Sequence, residues 1–108
     1  MRKEVEILLD EMICSSAQRA WIEIDCRSSN VLNFIDETLH LYFRVTTLDL
    51  KKIAIEYEKE AIKFAKKNNL CVVRDLDSTL KILIDKNQII LNYKNKKKKK
   101  KKKNKKKK

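Results

Sequence analysis

Few side chains in this 108-residue chain are suited to chemistry, and their spacing limits what they can do. His40 is the single histidine, so a multi-histidine zinc site is excluded and a Ser–His–Asp triad would have to be built on that one residue. Cys14, Cys26 and Cys71 are odd in number and lack C-x-x-C spacing. They read as free thiols packed as small apolar groups in a reducing compartment. Asp36 and Glu37 sit side by side in a helical pattern, where a carboxylate pair is a solvated surface more often than a general acid and base. With no glycine in the chain, neither a P-loop nor a dinucleotide-type phosphate cradle can form, since both need positive φ beside the ligand. The expectation is a non-enzyme with no cofactor, no metal and no small-molecule substrate.

Lysine is what remains. Residues 94–108 hold thirteen Lys and two Asn with nothing apolar, so they cannot bury enough surface to order themselves and read as a disordered tail. A run of lysine codons is also an easily expanded adenine repeat, so drift and function explain the tail equally well. Subtracting its +13 from the net charge of +12 leaves about −1 for residues 1–93, the single small domain. Within that domain the charge is polarised. Residues 4–50 carry nine acids against three bases, and residues 51–86 carry nine bases against six acids. Lys52, Lys59, Lys63 and Lys66 share one helix flank with Glu56 and Glu60 among them as i,i+3 and i,i+4 partners. That flank fits a solvated face or a phosphate-contacting one. The nucleic-acid candidates are therefore Lys52, Lys59, Lys63 and Lys66, together with the tail residues Lys96, Lys97, Lys98, Lys99 and Lys100.

The elements that position these lysines follow from apolar periodicity. Leu50, Ile53, Ala54, Tyr57, Ala61, Phe64 and Ala65 recur at spacings of three and four, predicting a central helix over residues 47–67. Thr46 and Asp49 form its capping box, and Asn68-Asn69 its stop. Val5, Leu8, Leu9, Met12, Ile13, Ala17, Ala20, Trp21 and Ile24 keep helical spacing and predict a first helix over residues 4–22 or longer, with a short strand around Ile22–Cys26 as the alternative to its continuation. After Ser28-Ser29-Asn30, a linker and cap cluster, a second helix is expected over residues 31–43. Leu70–Val73 reads as an extended connector. Asp75 or Asp77 would cap a further helix before residue 86, and Ile89–Tyr93 leans to strand. The expected core is Leu9, Ile13, Trp21, Ile35, Leu39, Ile53, Tyr57, Phe64 and Leu83.

The run Phe34-Ile35-Asp36-Glu37-Thr38-Leu39-His40-Leu41-Tyr42-Phe43, then Glu60-Ala61, then Asp75-Leu76-Asp77 with Leu80, Leu83 and Ile84, resembles the centromere protein X family of histone-fold proteins over residues 31–85. The central segment here is shorter than that family's long helix. The resemblance implies a histone-fold-like, mainly α domain, a heterodimer with a second histone-fold subunit, and DNA binding by the pair in a nuclear complex of centromere or DNA-repair type. A winged helix is the alternative and looks similar in its order of elements. Residues 48–54 would be its second helix, 61–70 its recognition helix, and residues 81–84 and 89–93 a terminal hairpin. Helix or strand over residues 80–92 separates the two, and a mostly helical segment is favoured.

Both readings describe a non-catalytic interaction subunit. A core of about 93 residues is small, and Leu41, Leu48, Ile55 and Ile62 fall outside the apolar stripes, so a protein partner subunit is expected to cover what they leave. No secretory h-region and no apolar run near membrane-span length occurs, so no membrane partner and no secretion are expected.

Overall fold

The computed structural model describes residues 1–94. The lysine-tail candidates Lys96, Lys97, Lys98, Lys99 and Lys100 lie outside these described residues. Six elements succeed one another: α1 (Lys3–Ser15), β1 (Arg19–Glu23), α2 (Ser29–His40), α3 (Thr47–Lys67), β2 (Val72–Arg74) and β3 (Leu80–Asp85). Residues 86–94 are again helical. The three helices pack on a three-stranded antiparallel sheet of order β1-β3-β2, so β3 is central and β1 and β2 are edges. The domain is mainly helical, but it carries a sheet where the histone-fold resemblance implied a closing helix.

α3 matches its expected span. Thr46 Oγ1 accepts a hydrogen bond from the Asp49 amide at 3.1 Å, satisfying one of the free donors at the helix start. The stop is Asn69 at φ 57°, while the Asn68 side-chain amide donates to the Phe64 carbonyl at 2.9 Å. Asparagine thus takes the left-handed position that glycine would usually fill.

The first helix ends earlier than its periodicity suggests. Ser15 Oγ donates to the Glu11 carbonyl at 2.6 Å and Ser16 Oγ to the Ile13 carbonyl at 2.8 Å, competing with continuation of the helical ladder. The chain then enters β1 three residues before the alternative strand, and that strand is fixed by its partner, in the register Ala20↔Ile84 and Ile22↔Ile82. The second helix begins at Ser29 and stops at His40, so Leu41–Phe43 lies beyond it. Ser28 holds the N-cap position, but its hydroxyl donates to Glu23 Oε2 at 2.7 Å rather than to the helix.

The largest correction concerns residues 76–94, where strand and helix exchange places, while the extended reading of residues 70–73 agrees with the strand at residues 72–74. Residues 72–74 and 80–85 are strands, and residues 86–94, expected to include a strand, are helical. Leu80, Ile82 and Ile84 alternate into the core, and β3 has hydrogen-bonded neighbours on both sides, which a helix there would forfeit. Asp85 accepts from the Gln88 amide at 3.2 Å and starts the last helix, so Asp85–Gln88 is a helix entry and not a hairpin turn. Neither Asp75 nor Asp77 caps a helix. Asp75 Oδ1 accepts from the Asp77 and Thr79 amides, both at 2.9 Å, and folds the turn between β2 and β3.

The core lies between the helices and one sheet face. Leu9, Ile35, Leu39, Ile53 and Tyr57 are buried as expected, together with Ile82 and Ile84. Ile13, Phe64 and Leu83 are only partly buried, and Trp21 is 50% exposed. Trp21 misses the core because β1 alternates. Ala20 and Ile22 share its inner face, an alternation that Ile24 continues just past the strand, and residue 21 must point the other way. The thiols are free, with Cys14 and Cys71 on the surface and only Cys26 partly buried, so they are not all small core groups.

Candidate nucleic-acid interface

α3 turns Ile53, Ala54, Tyr57, Ala61 and Ala65 into the core. At 3.6 residues per turn, Lys52, Lys59, Lys63 and Lys66 fall within about 60° of one another on the opposite side. All four are exposed. From Lys52 to Lys66 the ridge runs about 21 Å along the axis at 1.5 Å per residue.

Of the two neighbouring carboxylates, one is drawn off the ridge and one pairs within it. Glu56 pairs with Arg2 at 3.1 Å, not with a lysine of its own helix as the spacing suggests, and Glu60 pairs with Lys63 at 3.4 Å. Among the described residues, Lys52, Lys59 and Lys66 have no ion-pair partner. The structure therefore brings the four expected lysines onto one face and leaves three of them unpaired.

The turn between β2 and β3 adds no free cation. Lys81 pairs with Asp75 at 3.0 Å, which holds the Asp75 carboxyl below its usual range, and Arg74 donates to the Ser78 carbonyl at 2.9 Å. Asp77 and the fully exposed Leu76 occupy the tip.

Sequence spacing gave no hint of the polar centre at Asp25. This carboxylate is only 3% exposed and accepts from the Arg27 guanidinium at 3.1 and 3.0 Å, from the Arg27 amide at 2.9 Å and from the Leu80 amide at 3.3 Å. The Arg27 hydrogen bonds hold its carboxyl far below the ordinary carboxylate range. It staples the end of β1 to the start of β3.

Ligand atoms of Asp25, Cys26 and Glu58 lie within 4.8 Å of one another. Both Asp25 oxygens already accept hydrogen bonds, and burial, with Glu58 beside it, pushes the Cys26 thiol up, away from the thiolate a metal needs. The Glu58 carboxylate accepts from the Cys26 amide at 3.1 Å, tying α3 to the segment after β1. This cluster is a structural clamp.

His40 is exposed at the end of α2, and Asp36 and Glu37 are exposed on its surface. No helix among the described residues is long and apolar enough to cross a membrane. No family model matches the chain, and no curated protein or solved structure is significantly similar to it.

Proposed function

We propose that this chain is a non-catalytic nucleic-acid-binding module of winged-helix type, in which α3 lies against the phosphate backbone and the lysine-rich tail adds counterion-displacing charge. The observation that carries this reading is the ridge of Lys52, Lys59, Lys63 and Lys66, exposed on the face of α3 opposite the core.

The element order supports it. Helix, strand, helix, helix and a two-strand hairpin, with β1 paired to β3, is the plan in which the third helix serves as the contacting element. Under this reading the recognition helix is the whole of α3 and not residues 61–70 alone. The histone-fold reading loses support at the same place, because the helix it needs before residue 86 is the central strand β3.

Lysine ammoniums act as point charges on phosphates, and the ridge carries no Arg, Asn or Gln to read base edges. Binding is thus independent of sequence and falls steeply with salt. A nuclear setting and membership of a larger DNA-associated assembly fit this role, and exposed Leu41, Tyr42 and Leu48 offer a protein partner apolar contact.

The test is a salt titration of duplex DNA binding by the full chain and by its K59E/K66E variant. The variant should lose about tenfold or more in affinity and about two units of the log–log salt slope, since each lysine–phosphate contact contributes about 0.9. Equal affinities would leave all binding to the tail and sink the α3 reading.

A further inference from the structure

The free edge of β1 borders a slot that the nucleic-acid reading does not use. The Ile24 amide donates to the Leu80 carbonyl at 3.0 Å, and the Lys86 amide to the Gln18 carbonyl at 3.0 Å. In the antiparallel register, even-numbered residues of β1 therefore bond to β3, and the amides and carbonyls of Trp21 and Glu23 point outward. Beside them opens a slot of about 310 Å³, lined by Met12, Trp21, Glu23, Asn30, Phe34 and Tyr57. The Tyr57 side chain is 0% exposed, yet its hydroxyl has no hydrogen-bond partner. A buried hydroxyl left unpaired is costly, so the Tyr57 wall of the slot is incompletely satisfied in the isolated chain.

Charge indicates what that occupant is. A second depression, between α1 and α2, is lined by Glu11, Glu37, Leu41 and Tyr42 among others. Neither depression has a basic side chain in its lining, and together they carry three carboxylates. Arg19, at the far end of β1, is directed to Asp85 at 4.0 Å. Half-exposed Trp21 can stack against a cation.

We propose that the β1 edge takes an extended, lysine- or arginine-bearing segment of a partner protein as a fourth strand. The backbone of the segment pairs with Trp21 and Glu23, one of its apolar side chains enters the slot above Tyr57, and its cations face Trp21, Glu23 and Glu11. Strand addition of this kind draws affinity from main-chain hydrogen bonds and selectivity from alternate side chains. Because Tyr57 belongs to the core-facing side of α3, this surface is separate from the lysine ridge.

Trp21 is the only tryptophan in the chain and reports directly on the site. The full-length protein is titrated with a capped nine-residue peptide alternating Lys with Val around a central Leu. Tryptophan emission is followed together with amide hydrogen exchange. The expected result is a saturable blue shift with a Kd below about 1 mM and at least tenfold slower exchange at the Trp21 and Glu23 amides. K59E leaves both unchanged. The same peptide with Pro at every second position, which removes the donors, and a Glu-for-Lys version should both fail. Equal response to the Pro peptide, absence of saturation, or protection confined to other amides overturns the proposal. Protection of Trp21 and Glu23 that rises with protein concentration alone assigns the edge to a second copy and also overturns it. Protection without peptide that is independent of concentration and lost in high salt assigns it to the chain's own lysines, with the same consequence.

Discussion

Arg2 Nε lies 3.1 Å from a Glu56 carboxylate oxygen, joining the residue before α1 to the middle of α3. Both side chains are about 40% exposed, so the pair adds little to stability. Its effect is electrostatic and local. Glu56 lies four residues after Lys52 and three before Lys59 on one helix, and Arg2 draws it away from both.

Arg2→Ala should therefore weaken DNA binding by about twofold at low salt, because Glu56 becomes free to pair with the ridge. The unfolding free energy should move by less than about 0.5 kcal/mol. Fluorescence anisotropy and urea denaturation measure the two separately.

Asp25 makes stability depend on pH in one direction. Its carboxyl is held below the ordinary value, so its contribution is fully present above the unfolded pKa of about 3.9 and is lost as pH falls through that range towards the folded value. Asp75, lowered by Lys81, acts in the same sense. Asp25→Asn should cost about 1.5–3 kcal/mol at pH 7, the range for hydrogen bonds to a charged group. It should also flatten the acid limb of the urea midpoint against pH. An unchanged limb would remove Asp25 from that account.

Truncations should rank by burial and not by side-chain size. Ile82→Ala, fully buried in the central strand, should cost about 2–5 kcal/mol. Trp21→Ala should cost less than Ile82→Ala, well short of the 3–5 kcal/mol typical of a buried tryptophan, because half of its surface is already in water. The reverse order in denaturant unfolding would place Trp21 in the core after all.

Among the described residues, two carry the left-handed backbone that a glycine-free chain must give to other side chains: Asn69 at φ 57° and Ser78 at φ 62°. Asparagine tolerates that region better than serine. Ser78→Gly should relieve about 1–2 kcal/mol of strain and lose about 0.4–1 kcal/mol to unfolded-chain entropy, for a net gain of about 0.5 kcal/mol. A lowered urea midpoint would contradict this.

The sequence by itself was sufficient for α3 and for its lysine ridge. A 21-residue amphipathic pattern with Thr46 at one end and Asn68-Asn69 at the other specifies a helix from interactions at most a few residues apart. Knowing which stripe is apolar fixes the opposite stripe as exposed. The two ends of the sheet were not available in that way. Leu80, Ile82, Leu83 and Ile84 satisfy a spacing of two and a spacing of three or four together, and nothing local chooses between them. The choice falls to β1, about sixty residues earlier, whose Ala20 and Ile22 meet Ile84 and Ile82 across the sheet. The same pairing ends α1 before its apolar pattern runs out and turns Trp21 outward. It also creates the open edge beside Tyr57. Asp25 became a staple only when folding brought the Leu80 amide to it. Strand partners and the hydrogen bond from the Leu80 amide to Asp25 depend on contacts between residues far apart in the chain, and a single sequence records the residues of such contacts but not their pairing.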